Sequence, residues 1–145
     1  MTTQHIETLI IGAGQAGLST GYHLQRRNRP FLIVDGADRV GDNWRHQWDS
    51  LRLYSPAKYD GLPGLPFPAD DPWHFPGKDE VAAYLESYAL HFDLPVRMST
   101  RIDRLEARPE GYVARVGADT ITCDNVVIAT GTFGRTPFVP AFAKD

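Results

Sequence analysis

The run Gly12-Ala13-Gly14-Gln15-Ala16-Gly17 carries three glycines at G-x-G-x-x-G spacing. Where such a run joins a strand to a helix, each glycine has its own task. The first allows a tight turn, the second lets backbone approach a diphosphate, and the third lets helix and strand pack closely. The start of the helix then faces the phosphates with unpaired N–H groups and a positive dipole end, so no Lys or Arg is needed. Asp35 ends the next apolar run, about 20 residues on. A carboxylate there can accept both ribose hydroxyls of an adenosine and would repel a 2′-phosphate. The pattern predicts a first nucleotide that is FAD or NAD rather than NADP.

Two further groups could contribute. Gly41-Asp42-Asn43-Trp44-Arg45 follows closely, and then Trp48 and Ser50-Leu51-Arg52-Leu53-Tyr54-Ser55-Pro56. Trp44 could cover a flat cofactor ring and Arg45 could meet a carboxylate or phosphate. By composition alone, Trp44 reads rather as a core or capping residue. Ala129-Thr130-Gly131 ends the last apolar run. Ligands of an open parallel sheet lie outside the carboxyl ends of the strands, so Thr130 and Gly131 should emerge beside Gly12 and Gly14.

These residues need a frame. Ile6 to Ile11 is a short aliphatic run suited to a buried parallel strand. Ala16, Gly17, Gly21 and Leu24 keep small or apolar residues at helical spacing, and Pro30 stops that helix. Phe31 to Asp35 is a second buried strand, which completes a right-handed βαβ unit. Six of the eleven prolines fall between Pro56 and Pro76, among Phe67, Trp73 and Phe75, and predict a rigid loop packed on apolar surface. Asp79 to Leu94 reads as an amphipathic helix with Asp79 able to cap it. Val96-Met98, Ile102-Arg108, Tyr112-Val116 and Thr120-Cys123 read as a small antiparallel meander, and Asn125 to Ala129 as a return to parallel strand. The expected architecture is α/β: a three-layer ββα Rossmann-like FAD/NAD(P)-binding domain over residues 1–145, with a parallel sheet, helices on one face and the antiparallel β-meander over the other.

Composition narrows the function. The 145 residues carry 15 Lys+Arg against 18 Asp+Glu, a net charge of −3 without a basic block, which argues against nucleic-acid binding. The lone Cys123 excludes an internal disulfide, a C-x-x-C centre and a cysteine zinc site, and reads as a small buried residue. Redox work would therefore need a bound cofactor. His5, His23, His46, His74 and His91 lack metal spacing and read as surface or loop residues. Asp70-Asp71 reads as a solvated loop, and Ser19 is in no nucleophile elbow. The N-terminal apolar run is too short for a signal or a membrane span, so a cytoplasmic, soluble protein is expected.

Taken in order, GAGQAGLSTGYHL, Val34-Asp35, VGDNWR, WDSLRLYSP, LPGLPFP, VAAYLESYALHFDLPV and VVIATGTFGRTPFVP resemble the N-terminal FAD-binding part of flavin-dependent monooxygenases, in their bacterial and YUCCA-like branch. The resemblance implies that Gly12, Gly14, Gln15, Ala16 and Gly17 hold the FAD diphosphate and Asp35 the ribose. It places Gly41, Asn43, Trp44 and Arg45 toward the flavin, with Leu53 close by. Ile102, in the first meander strand, matches a position whose backbone meets the adenine, and Thr130-Gly131 match the strand-end contact. The family usually has Glu where Asp35 stands. Tyr54 occupies a position near which animal members carry Asn, which favours the bacterial or plant-like branch.

In such enzymes NADPH reduces FAD, reduced flavin captures O2 as a C4a-(hydro)peroxide, and that oxidant attacks a small-molecule substrate. The flavin carries the hard chemistry, so no catalytic side chain is assigned. No second G-x-G-x-x-G for NADPH follows before Asp145, so the chain reads as an N-terminal piece whose NADPH site lies elsewhere. Two alternatives stay open: an NAD-dependent dehydrogenase domain built on the same βαβ unit, and a non-catalytic truncated nucleotide-binding module. A plain dehydrogenase would continue with further βα units rather than a proline-aromatic loop and a meander.

Overall fold

The computed structural model describes residues 2–132 and 138–143. Strand β1 (Thr3–Ile11) leads through the glycine run into helix α1 (Gln15–Gln25), and β2 (Phe31–Val34) follows. A single helical turn, α2 (Asp42–Arg45), precedes the proline-rich loop, which contains a 3-10 turn at Ala57–Tyr59. Helix α3 (Lys78–His91) then leads to β3 (Val96–Arg97), β4 (Arg104–Arg108), β5 (Gly111–Val116) and β6 (Asp119–Ile128).

The six strands form one sheet in the order β3-β2-β1-β6-β5-β4. The first four are parallel and the last three antiparallel, with β6 belonging to both sets. Side chains alternate across the sheet. Ile10 and Ile33 face a core with Leu18 and Tyr22 of α1 and Leu85 and Tyr88 of α3. Leu9, Leu32 and Val34 face a second core with Ala114, Ile121 and Cys123, where Leu105 and Tyr112 of the meander also pack. The expected three layers are present, and the two outer layers come from α-helices on one side and the meander curling back on the other.

Helix α1 sits close to the sheet because its inward stripe is small. Gly17, Leu18, Gly21 and Tyr22 are buried, and a Cβ on Gly21 would come within 2.9 Å of Ile33 and Phe31 side chains. The helix ends before Pro30 through a turn in which Asn28 takes φ +52°.

Several sequence expectations are corrected. Val96–Arg97 is not a meander strand: it pairs parallel with β2 as the edge of the parallel half, through Ile33↔Val96 and Val34↔Arg97. Thr120-Cys123 and Asn125-Ala129 are one strand rather than two, since β6 runs unbroken past Asp124 while its neighbour changes from β5 to β1 alone. Strand β1 starts at Thr3, because the first half of β6 offers it partners from Thr120 onward. Asp79 does not cap α3. Gly77 holds the N-cap position, and its N–H donates to Glu80 Oε2 at 2.8 Å, while Asp79 receives Lys78 Nζ. Glu80, three residues past the cap, reaches back where Asp79 points outward.

The proline-rich loop is tied down as expected, but only in part by apolar packing. Ala57 and Phe67 are buried, whereas Trp73 and Phe75 stay largely exposed, with Lys58 Nζ 4.9 Å above the Trp73 ring. The loop is held instead by tyrosines of α3. Tyr84 Oη accepts from Leu62 N and donates to the Leu65 carbonyl, and Tyr88 Oη donates to the Pro63 carbonyl at 2.6 Å. Burial pushes both phenol pKa values up, so they stay protonated donors.

Candidate functional site

The βαβ unit places the three glycines where β1 turns into α1. Gly12 has φ +114°, and a Cβ there would overlap the carbonyl oxygen of Ala129. A Cβ on Gly17 would overlap the Gly12 carbonyl oxygen. Both positions are therefore closed by backbone. Gly14 is different: a Cβ there would meet nothing within 4 Å. The one glycine expected to admit a ligand is the one that opens on space.

Gly14 is the N-cap of α1 and supplies no capping side chain, and the first turn contains no acidic residue. Ala129 N donates to the Ile11 carbonyl at 2.8 Å, which brings Thr130 and Gly131 to the same end of the sheet. Both are exposed, and Gly131 has φ +69°.

Asp35 lies directly against the loop. Its Oδ2 accepts from Ala13 N at 2.7 Å and its Oδ1 from Ala37 N at 2.8 Å. A carboxylate can accept about four hydrogen bonds, so each oxygen retains capacity for a further donor. Thr100 N donates to the Asp35 carbonyl at 2.7 Å, so the chain from Thr100 to Ile102 runs past the carboxylate. Ile102 is half-buried against the meander-side core, but it precedes β4, which begins at Arg104, and so is not in the first meander strand as expected. The role of Thr100 gave no signal in the sequence.

A cleft of about 680 Å³ opens beside the first turn of α1. Gln15 and Ala16 form one wall, Trp44, Leu53 and Tyr54 another, and Val81 and Tyr84 of α3 close it. Asn43 is exposed and lines a smaller adjoining groove with Trp44, Trp48 and Leu53. Ser55 Oγ donates to Asp60 Oδ1, and Asp60 Oδ2 is buried without a partner among the described residues. That leaves one acceptor in the cleft wall unsatisfied. The contribution of α3 was missed from sequence, because its apolar stripe reads as core whether or not part of it also lines a cavity.

Arg45 does meet a carboxylate, but the chain's own. Its guanidinium donates to the Val40 carbonyl at 2.7 Å, to Asp42 Oδ1 at 2.9 Å and to Glu86 Oε2 at 3.2 Å. Gly41 takes φ +89° and is pressed on α3, where a Cβ would lie 2.6 Å from the Ala82 carbonyl oxygen. Both residues act on the position of α2. Of the segment VVIATGTFGRTPFVP, Phe133 to Pro137 lie outside the described residues.

The pyridine nucleotide-disulphide oxidoreductases match residues 9–142 of this chain. The chain belongs to that family. A CzcO-like oxidoreductase of Geobacillus kaustophilus is 42% identical over 98% of this chain and 40% of its own length. A probable indole-3-pyruvate monooxygenase, YUCCA1 of Arabidopsis thaliana, is 41% identical over 69% of this chain and 25% of its own. Among solved structures, a double mutant of the flavin monooxygenase of Stenotrophomonas maltophilia superposes with TM-score 0.86 at 34% identity, over 96% of this chain and 42% of that one. The resemblance to the N-terminal part of flavin-dependent monooxygenases is borne out, and the chain corresponds to part of such enzymes. It spans about two fifths of the length of these bacterial relatives. No helix among the described residues is long and apolar enough to cross a membrane.

Proposed function

We propose that these 145 residues are the FAD-binding portion of an NADPH- and O2-dependent monooxygenase acting on a small molecule, with the NADPH site in chain beyond this domain and the whole enzyme in the cytoplasm. The observation that carries the reading is the open face of Gly14 at the uncapped start of α1, with the Asp35 carboxylate anchored beside it. The residues fit an FAD. Gly14, Gln15, Ala16 and Gly17 would present backbone N–H groups to the diphosphate, and Gly12 would hold the turn that aims them. Asp35 would accept the ribose hydroxyls, its charge excluding a 2′-phosphate. Ile102 would meet the adenine, and Thr130 and Gly131 would flank the diphosphate from β6. On the flavin side, Trp44 and Leu53 would wall the ring and Asn43 border it, with Gly41 and Arg45 fixing their turn.

When bound, FAD supplies hydride acceptance from NADPH and activation of O2. The chain's own work is to bind, orient and keep water away. The aromatic and aliphatic wall of Trp44, Leu53, Val81 and Phe67 supplies the dry side of the cleft. No acid or base is assigned.

Titration of the purified protein with FAD, followed by quenching of flavin fluorescence, tests the reading. Saturable one-to-one quenching and a yellow protein after gel filtration are expected. A folded protein that leaves FAD fluorescence unchanged would refute it, and saturable NADH binding by such a protein would favour the dehydrogenase alternative.

A further inference from the structure

Helix α2 is only one turn long and has no buried residue of its own. A single turn is not stable alone, so something else must hold it. Helix α3 does so at three points. At the start of α2, Gly41 lies on the α3 backbone at Ala82. Glu86 takes Arg39, just ahead of α2, through both carboxylate oxygens, at 2.5 and 2.6 Å, and the Arg45 guanidinium at 3.2 Å. At its end, Lys78 Nζ donates to the Arg45 carbonyl at 3.1 Å. The Lys78 side chain is only 13% exposed, against 71% for Arg104 in the meander, so this lysine is placed rather than solvated. Lys78 and Glu86 are eight residues apart, about 12 Å along the helix axis; Lys78 holds the Arg45 backbone, and Glu86 holds the Arg45 guanidinium and Arg39 ahead of α2.

Next to the held Arg45 is Trp44, whose ring lines the cleft with Leu53. Asn43, on the same turn, borders the adjoining groove. The Gly14 and Asp35 side of the site is built by β1, α1 and β2 and shares none of these contacts. Helix α3 packs on both halves through the apolar core, but the polar contacts of Lys78 and Glu86 reach only the α2 half.

We infer that Lys78 and Glu86 are positioning residues for the flavin-ring side of the site, acting through α2 on Trp44. The inference rests on the FAD reading above. Neither side chain need touch the ligand. The Glu86 carboxyl is held below its usual range by Arg39 and then by Arg45, so it stays ionised through neutral pH.

ADP and FAD separate the two halves, because ADP lacks the flavin ring. Lys78→Gln and Glu86→Gln are each compared with the parent by calorimetric titration with ADP and by fluorescence titration with FAD. The expected result is an FAD affinity lower by about tenfold, or about 1.4 kcal/mol, with ADP affinity within about twofold of the parent. Flavin fluorescence in the saturated variants should rise as the Trp44 ring loses its fixed stacking position, and Lys78→Arg should recover most of the lost affinity because it keeps a donor for the Arg45 carbonyl. Unchanged FAD affinity in both variants overturns the inference while leaving the FAD reading intact. Parallel loss of ADP and FAD affinity also overturns it, since that marks general destabilisation. A parent protein that binds neither nucleotide overturns the FAD reading and this inference with it.

Discussion

Gly14→Ala is the substitution that separates a ligand-facing glycine from a packing one. In the free protein the new methyl group meets no atom within 4 Å, and Gly14 sits at φ −83°, ψ −171°, which any residue can adopt. The loss of a good N-cap residue, about 0.5 kcal/mol, is offset by the similar gain from a less flexible unfolded chain. Net stability should change by less than about 0.5 kcal/mol, a shift of no more than about 3 °C in Tm. Binding should behave otherwise. The methyl group occupies the space through which a diphosphate reaches the α1 N–H groups, and losing one charge-assisted hydrogen bond costs about 1.5–3 kcal/mol, so FAD affinity should fall about 10- to 100-fold. Gly17→Ala is the control. Its Cβ would overlap the Gly12 carbonyl oxygen, backbone against backbone, and overpacking of that kind costs about 1–3 kcal/mol. Its Tm should drop by several degrees and its binding should weaken with the fold. Thermal melts by circular dichroism and FAD titrations of both variants provide the comparison. A Gly14→Ala protein that binds FAD as tightly as the parent would show that no diphosphate lies at α1, and the reasoning would fail.

Three other outcomes follow from the contacts. Glu80 has its carboxyl held low by the Gly77 N–H and then by His74, so its contribution is present above the unfolded pKa of about 4.3 and is lost as pH falls through the depressed folded value. Glu80→Gln should cost about 0.5–1 kcal/mol at pH 7, a modest figure for a half-exposed group, and the difference in Tm from the parent should shrink as pH falls through the depressed folded value. Tyr88→Phe leaves the Pro63 carbonyl without its buried donor and should cost about 1–3 kcal/mol in urea unfolding at an unchanged m-value. Cys123 is 1% exposed and its thiol is pushed up by burial, so Ellman's reagent should label it only as fast as the protein opens, with the rate rising in step with denaturant. Rapid labelling of the native protein would contradict that placement.

The parts of the molecule that could be read from sequence are those in which one residue type has one physical use. Gly12, Gly14 and Gly17 between an aliphatic run and a helix leave few alternatives to a strand-turn-helix, and Asp35 at the end of Phe31 to Val34 follows from the same pattern. The parts that could not be read depend on partners distant in the chain. Val96–Arg97 becomes parallel edge rather than meander because β2 has a free edge beside it, which no local pattern at Val96 encodes. Asp124 breaks the apolar run without breaking β6, since its side chain stays at the surface and meets His5 across the strand pair. Arg45 has the charge a phosphate site would need, yet three internal acceptors claim it, and one of those, Glu86, lies 41 residues away and gives no sequence sign of proximity. Tyr84 and Tyr88 read as stripe residues, while their hydroxyls organise the proline-rich loop.

On the proposed FAD reading, the same contrast explains how Asp35 would serve where the resembling family usually has a longer acid. Its carboxylate is fixed before any ligand arrives, because Ala13 N and Ala37 N hold one oxygen each. A Glu would have an added rotatable bond to freeze on binding, whereas Asp35 is held by the loop and turn it joins, so its ordering cost is met in folding rather than in recognition. The shorter reach is matched by closeness: the acceptor already touches the residue between Gly12 and Gly14. The glycine loop and Asp35 are therefore one hydrogen-bonded piece, tied to β6 by Ala129, to β3 by the bond from Asp35 N to the Arg97 carbonyl, and to the chain past it by Thr100 N. The wall of Trp44 and Leu53 has its own ties, from Arg45 to the Val40 carbonyl and from Leu53 N to the Pro76 carbonyl, and α3 adds Lys78 and Glu86 to them. On the proposed FAD reading, the nucleotide half of the cofactor would be held by this piece, and the ring's position would be tuned through α2 by Lys78 and Glu86.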